Sequence, residues 1–136
     1  MTLKTSGAAM SLVLPFTPAS ASVARRELGD WLGQLPECDD DDAKDCALVV
    51  SELVGNAVRH AQPLANGTME VSWRKRADGV DIAVTDGGGN TRPRKLEPEV
   101  FALTGRGLTI VDTLSGRWWV ASSRARTTVH ALMVGC

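Results

Sequence analysis

Ser51-Glu52-Leu53-Val54-Gly55-Asn56-Ala57-Val58-Arg59-His60-Ala61 carries two patterns at once. Cys46, Val50, Leu53 and Ala57 recur at helical spacing and form an apolar stripe. Glu52 and Asn56 stand four residues apart, and positions i and i+4 share one helical face. One side of the helix therefore packs. An adjacent edge presents a carboxylate, a carboxamide and basic groups, a set able to hold a hydrated cation and a phosphate chain. Taken alone, the same edge also fits the solvated face of an ordinary amphipathic helix.

Working outward, Asp39-Asp40-Asp41-Asp42 precedes this helix. Carboxylates there cap free N–H groups and complement the positive helix end. Their spacing is not that of a calcium loop. The helix is expected from about Asp42 to Ala61, with Pro63 closing it. Upstream, Thr17-Pro18 reads as a helix entry with Thr17 as cap. Val23, Leu28, Trp31, Leu32 and Leu35 continue that helix until Pro36. A first strand is expected around Ser11 to Leu14, after a flexible tail over residues 1–9.

Downstream the period changes to two. Met69, Val71 and Trp73 alternate with polar residues, as do Val80, Ile82 and Val84, around an Ala77-Asp78-Gly79 turn. Residues 86–105 lack periodicity, which marks a working loop or disorder. Gly107 to Leu114 resumes a helical pattern. Trp118 to Ala121 and Thr128 to Val134 give a last strand pair. In that pair, Trp118 and Trp119 must point to opposite faces. The order predicts an α+β fold: a two-layer α/β sandwich, its sheet mixed but mostly antiparallel, with helices on one face. Residues 10–136 form a single domain in this reading.

With 136 residues the chain can bury one real core. A formal net charge of −1 and 4% aromatic residues argue against a dedicated nucleic-acid binder. No apolar run is long enough to span a bilayer. The three cysteines, Cys38, Cys46 and Cys136, lack CxxC spacing, and an odd count argues against a disulfide framework. Reduced thiols in a cytoplasmic protein are expected. Ala19-Ser20-Ala21 looks like a leader cleavage site, but the single Lys4 and the interruptions at Ser11 and Pro15 disfavour secretion.

Three elements now stand in order: Glu52…Asn56…Arg59-His60 on a helix, Asp86-Gly87-Gly88-Gly89 after a strand, and Thr104-Gly105-Arg106-Gly107-Leu108 opening a helix. A strand-end aspartate can accept a hydrogen bond from an exocyclic amine, and neighbouring glycines let a flat ring approach the backbone. Gly105-Arg106-Gly107 offers free N–H groups to phosphates. Asn56 can give an oxygen to magnesium, which binds through few protein ligands plus substrate phosphates. Glu52 can orient or deprotonate an attacking hydroxyl.

These elements resemble the N, G1 and G2 boxes of the GHKL (Bergerat-fold) ATP-binding superfamily. Glu52 to Ala61 and Gly105 to Asp112 are closest in wording to the bacterial anti-sigma-factor serine/threonine kinases. The resemblance spans roughly Ser11 to Val134 and implies a histidine-kinase-like ATPase fold with ATP and Mg2+ as cofactors. It implies Asn56 as the magnesium ligand and Glu52 as the catalytic base. It places Arg59 and His60 near the phosphates, Asp86 on the adenine amine and Gly88 in the base pocket. Gly105, Arg106, Gly107 and Leu108 would lie against the triphosphate, and Thr128 would support adenine recognition. Arg92, Arg94 and Lys95 would belong to the lid over the nucleotide. Asn90 departs from the fuller Asp-x-Gly-x-Gly pattern. No phospho-acceptor histidine helix is read before the domain, so a complete histidine kinase is not expected. The implied function is an anti-sigma factor that phosphorylates an anti-anti-sigma protein on a hydroxyl. The alternative is a non-catalytic nucleotide-binding module controlling a transcription regulator. A sigma factor, an anti-anti-sigma protein and a second copy in a homodimer are the implied partners, with no nucleic acid or membrane.

Overall fold

The computed structural model of the chain describes residues 2–6, 8–88 and 108–136. Among them the elements run β1 (Thr2–Ser6), β2 (Ala9–Pro15), α1 (Ser20–Leu32), α2 (Asp40–His60), a 3-10 turn (Ala65–Gly67), β3 (Thr68–Arg76), β4 (Gly79–Asp86), α3 (Thr109–Leu114), β5 (Arg117–Ser123) and β6 (Arg126–Met133). The six strands form one sheet in the order β1-β2-β3-β4-β6-β5. Every pairing among the described strands is antiparallel, where the sequence reading expected a mixed, mostly antiparallel sheet.

Alternation decides which side chains meet the helices. Leu12 and Leu14, Met69 to Trp73, Val80 to Val84, and Val129 to Met133 send every second residue into one buried cluster. Leu28, Trp31 and Leu32 of α1 and Cys46, Val50, Leu53 and Ala57 of α2 close it from the other layer. Each fully buried Leu or Val contributes roughly 1.5–3 kcal/mol by leaving water. The helices thus cover one face, as the α+β reading expects. Trp118 joins this core and donates from Nε1 to Asp112 Oδ1 at 3.1 Å. Trp119 turns to the other face. There it stacks on His130 with ring centroids 4.8 Å apart and planes 5° from parallel.

The acidic run does its expected work. Asp39 is the N-cap of α2, and its Oδ1 accepts from Asp42 N at 2.8 Å. The α1 entry differs from expectation. The N–H groups of Ser20, Ala21 and Ser22 donate to the carbonyls of Thr17, Pro18 and Ala19 in a tight i→i+3 turn. The helix proper begins at Ser20 with Ala19 as a cap that makes no side-chain bond, so Thr17 is not the side-chain cap.

Two further expectations are corrected. Residues 2–6, read as a flexible tail, pair with β2 from Thr2↔Val13 to Ser6↔Ala9. An edge strand gains its main-chain bonds from its neighbour and needs no apolar pattern of its own. The thiols are not all reduced. Cys38 and Cys136 form a disulfide across 98 residues of sequence, with Cα atoms 4.4 Å apart. Cys46 is the free, buried one. The odd count misled because the third cysteine lies inside α2, while the other two meet only in three dimensions.

Candidate functional site

The C-terminal half of α2 carries the first part of the site. Asn56 is 2% exposed, flanked by buried Leu53, Val54 and Ala57. Its Oδ1 is buried and has no hydrogen-bond partner. A buried acceptor left so is uncommon and disfavours the folded state unless something binds it. Glu52 lies one turn earlier, half-buried at the helix edge. Arg59 and His60 are exposed in the last turn, where positive charge also complements the helix C-terminus. The Arg59 guanidinium folds back over Gly55, where a Cβ would stand 3.0 Å from Nη1.

The second part sits at the end of β4. Asp86 is 2% exposed, and its Oδ1 accepts from Gly88 N at 2.7 Å. That bond closes a turn in which Gly88 takes φ +83°, a left-handed conformation glycine adopts without a Cβ clash. The turn is tied to the chain leaving α2. Gln62 N donates to Gly88 O at 2.8 Å, and Gly87 N donates to Gln62 O at 2.7 Å.

Strand β6 supplies a residue the sequence reading missed. Thr128 pairs in register with Thr85, and their hydroxyls lie 2.7 Å apart. It shares the parity of His130, on the sheet face turned away from the helices, whereas the sequence reading set Thr128 beside adenine. Thr127 lies on the helix side, next to Asp86 and Gly88. It pairs in register with Asp86, is 8% exposed, and its Oγ1 lies 3.3 Å from where a Gly88 Cβ would stand. The signal was available: Thr127 is in phase with the core-facing Val129, Ala131 and Met133.

Leu108 is 4% exposed and packs in the core. Any phosphate contact there falls to its backbone rather than its side chain. Gly105, Arg106 and Gly107 lie outside the described residues, as do Asn90, Arg92, Arg94 and Lys95. The structure thus brings together Asn56 and Glu52 on one helix and Asp86, Gly88 and Thr127 at one strand end. Two backbone hydrogen bonds link the two halves.

The model of the histidine kinase-like ATPase domain matches residues 14–132. The chain belongs to that family. A comparison with curated proteins found no match. As a histidine kinase-like, GHKL-type domain, the chain has ATP as its family ligand, and the α+β sandwich is the family's fold. The donor set suits the accompanying ion. Among the described residues no group of three or more His, Cys, Asp or Glu side chains could hold a metal. A cation bridged by phosphates needs only one or two protein ligands, and the unpartnered Asn56 Oδ1 has the chemistry of such a ligand. No helix among the described residues is long and apolar enough to cross a membrane.

Proposed function

We propose that this ATPase-family domain is an anti-sigma factor with serine/threonine protein kinase activity toward an anti-anti-sigma partner, using ATP and Mg2+. The observation that carries the reading is Glu52, half-buried one turn before the orphaned Asn56. A module that only binds nucleotide has no use for a carboxylate there. Asp86, with Gly88 and Thr127, orients the adenine. Asn56 Oδ1 faces the metal–phosphate end. There Asn56 would hold a magnesium ion, which would supply neutralisation of the phosphate charge. Glu52 accepts the proton of the partner's serine hydroxyl as its oxygen bonds to the γ-phosphorus. The bond from that phosphorus to the β–γ bridging oxygen breaks, and ADP leaves. Positioning and charge neutralisation supply most of the acceleration in such transfers. A cytoplasmic site of action and a homodimer belong to the same reading.

The test is transfer of label from γ-labelled ATP to candidate anti-anti-sigma proteins. Label on a partner serine is expected, and Glu52→Ala should abolish it while nucleotide binding survives. Nucleotide binding without transfer to any partner would favour the non-catalytic module. Full transfer by Glu52→Ala would remove the role of that carboxylate.

A further inference from the structure

Gly87 is spare in the site as described: it bears no side chain and its φ is not left-handed. Its surroundings nonetheless admit nothing larger. A Cβ at Gly87 would stand 2.2 Å from Pro63 O, 2.9 Å from Pro63 C and 3.1 Å from Gln62 O. All three are backbone atoms, and the ring of Pro63 stiffens the chain that bears two of them. At the same point Gly87 N donates to Gln62 O and Gln62 N donates to Gly88 O. Gln62 and Pro63 lie just past the Ala61 C-cap of α2, six and seven residues beyond Asn56. Gly87 follows directly on Asp86. The backbone of the chain leaving the Asn56 helix therefore packs directly against the turn that follows Asp86.

We propose that Gly87, with Gln62 and Pro63, is a positioning clasp that sets Asp86 in register with Asn56. Binding at the base end and at the metal end of the site is thereby coupled. The inference rests on the ATP-site reading and extends it. With the clasp closed, a nucleotide seated on Asp86 presents its phosphates to Asn56 without rearrangement, so the ion tightens nucleotide binding. A wedge at residue 87 moves β4's end away from α2. Each half keeps its own contacts, but one ligand no longer reaches both well.

The experiment is calorimetric titration of the full chain and of Gly87→Ala with ATP in Mg2+, with ATP in EDTA, and with adenosine. Adenosine probes the base end alone. The variant is expected to bind adenosine within about threefold of the unaltered chain. Its Mg2+-dependent gain in ATP affinity should fall about tenfold, within the usual range of site-to-site coupling. A gain that persists in Gly87→Ala overturns the clasp. So does an equal loss of adenosine binding, which would make Gly87 merely part of the base pocket. Failure of the unaltered chain to bind ATP overturns the ATP site itself, and the clasp with it. If Gly87→Ala does not fold, Pro63→Gly loosens the same contact without a wedge. It should lower the Mg2+-dependent gain, and an unchanged gain there overturns the proposal.

Discussion

Replacing Asn56 by leucine should make the empty protein more stable and shrink what it gains on loading. Asparagine and leucine share a γ-branched shape, so the exchange changes polarity more than volume. In the absence of ligand, Asn56 Oδ1 is buried with no partner, which disfavours the folded state by about 1–3 kcal/mol. Unfolding entropy near the midpoint is roughly 2.1 cal/mol/K per residue. For 136 residues that gives about 0.29 kcal/mol/K. Relief of the orphaned acceptor should then raise Tm by about 3–10 °C. With Mg2+ and ATP at about 100 times Kd, the unaltered protein gains about 2.7 kcal/mol, or about 9 °C. Asn56→Leu forfeits the ion's share of that gain, so the gap between the two melting curves should narrow on loading. Scanning calorimetry with and without Mg2+ and ATP reads both effects. An Asn56→Leu protein that melts below the unaltered chain when empty would refute the orphaned acceptor. One that keeps the full Mg2+-dependent shift would refute the metal role.

Three other perturbations separate readings in the same way. Thr127→Val should weaken ATP binding about fivefold, the worth of one neutral hydrogen bond of about 1 kcal/mol. Thr128→Val should leave affinity unchanged and lower Tm by a few degrees, because it strips Thr85 of its partner; the opposite pattern in titration and melting would return the site to Thr128. Reducing the Cys38–Cys136 bond opens a ring of about 100 residues, which should lower stability by about 2–5 kcal/mol, or roughly 7–17 °C in Tm; a denaturant midpoint indifferent to reductant would count against the bond. Burial, with Asp42 and Asp45 nearby, pushes the Cys46 thiol from 9.0 up to about 12. Between those values the folded chain binds more protons than the unfolded one. Stability should therefore fall as pH rises through that window, by up to about 1.4 kcal/mol per unit, and Cys46→Ala should flatten the slope measured by chemical unfolding.

Local signals made the helices and hairpins legible. The Asp39–Asp42 run and Pro63 bracket α2, and strict alternation on both sides of Ala77-Asp78-Gly79 marks β3 and β4. Asn56 and Asp86 were legible because each is tied to a regular element: one helix face, one strand end. What escaped depends on contacts between distant segments. Strand β1 exists because β2 offers it an edge. The choice between Thr127 and Thr128 needs the phase of β6, and a shift of one residue moves a side chain to the other face. The meeting of Gly87 with Pro63, like that of Cys38 with Cys136, follows from closure of the whole sheet against α2. No spacing encodes either.

The bond between Cys38 and Cys136 makes the polypeptide a lasso. Residues 38–136 are a closed loop that holds α2, β3 through β6 and the site, while β1, β2 and α1 form the tether outside it. A single peptide cleavage anywhere between the two cysteines leaves one covalent molecule that separates into two pieces only on reduction. A cut in the tether leaves its fragment with no covalent link to the loop. The tether is also woven into the sheet, with β2 lodged between β1 and β3. A protease that opens the loop therefore leaves the nucleotide-site residues attached to the rest of the molecule, by the bridge on one side and by the strands on the other.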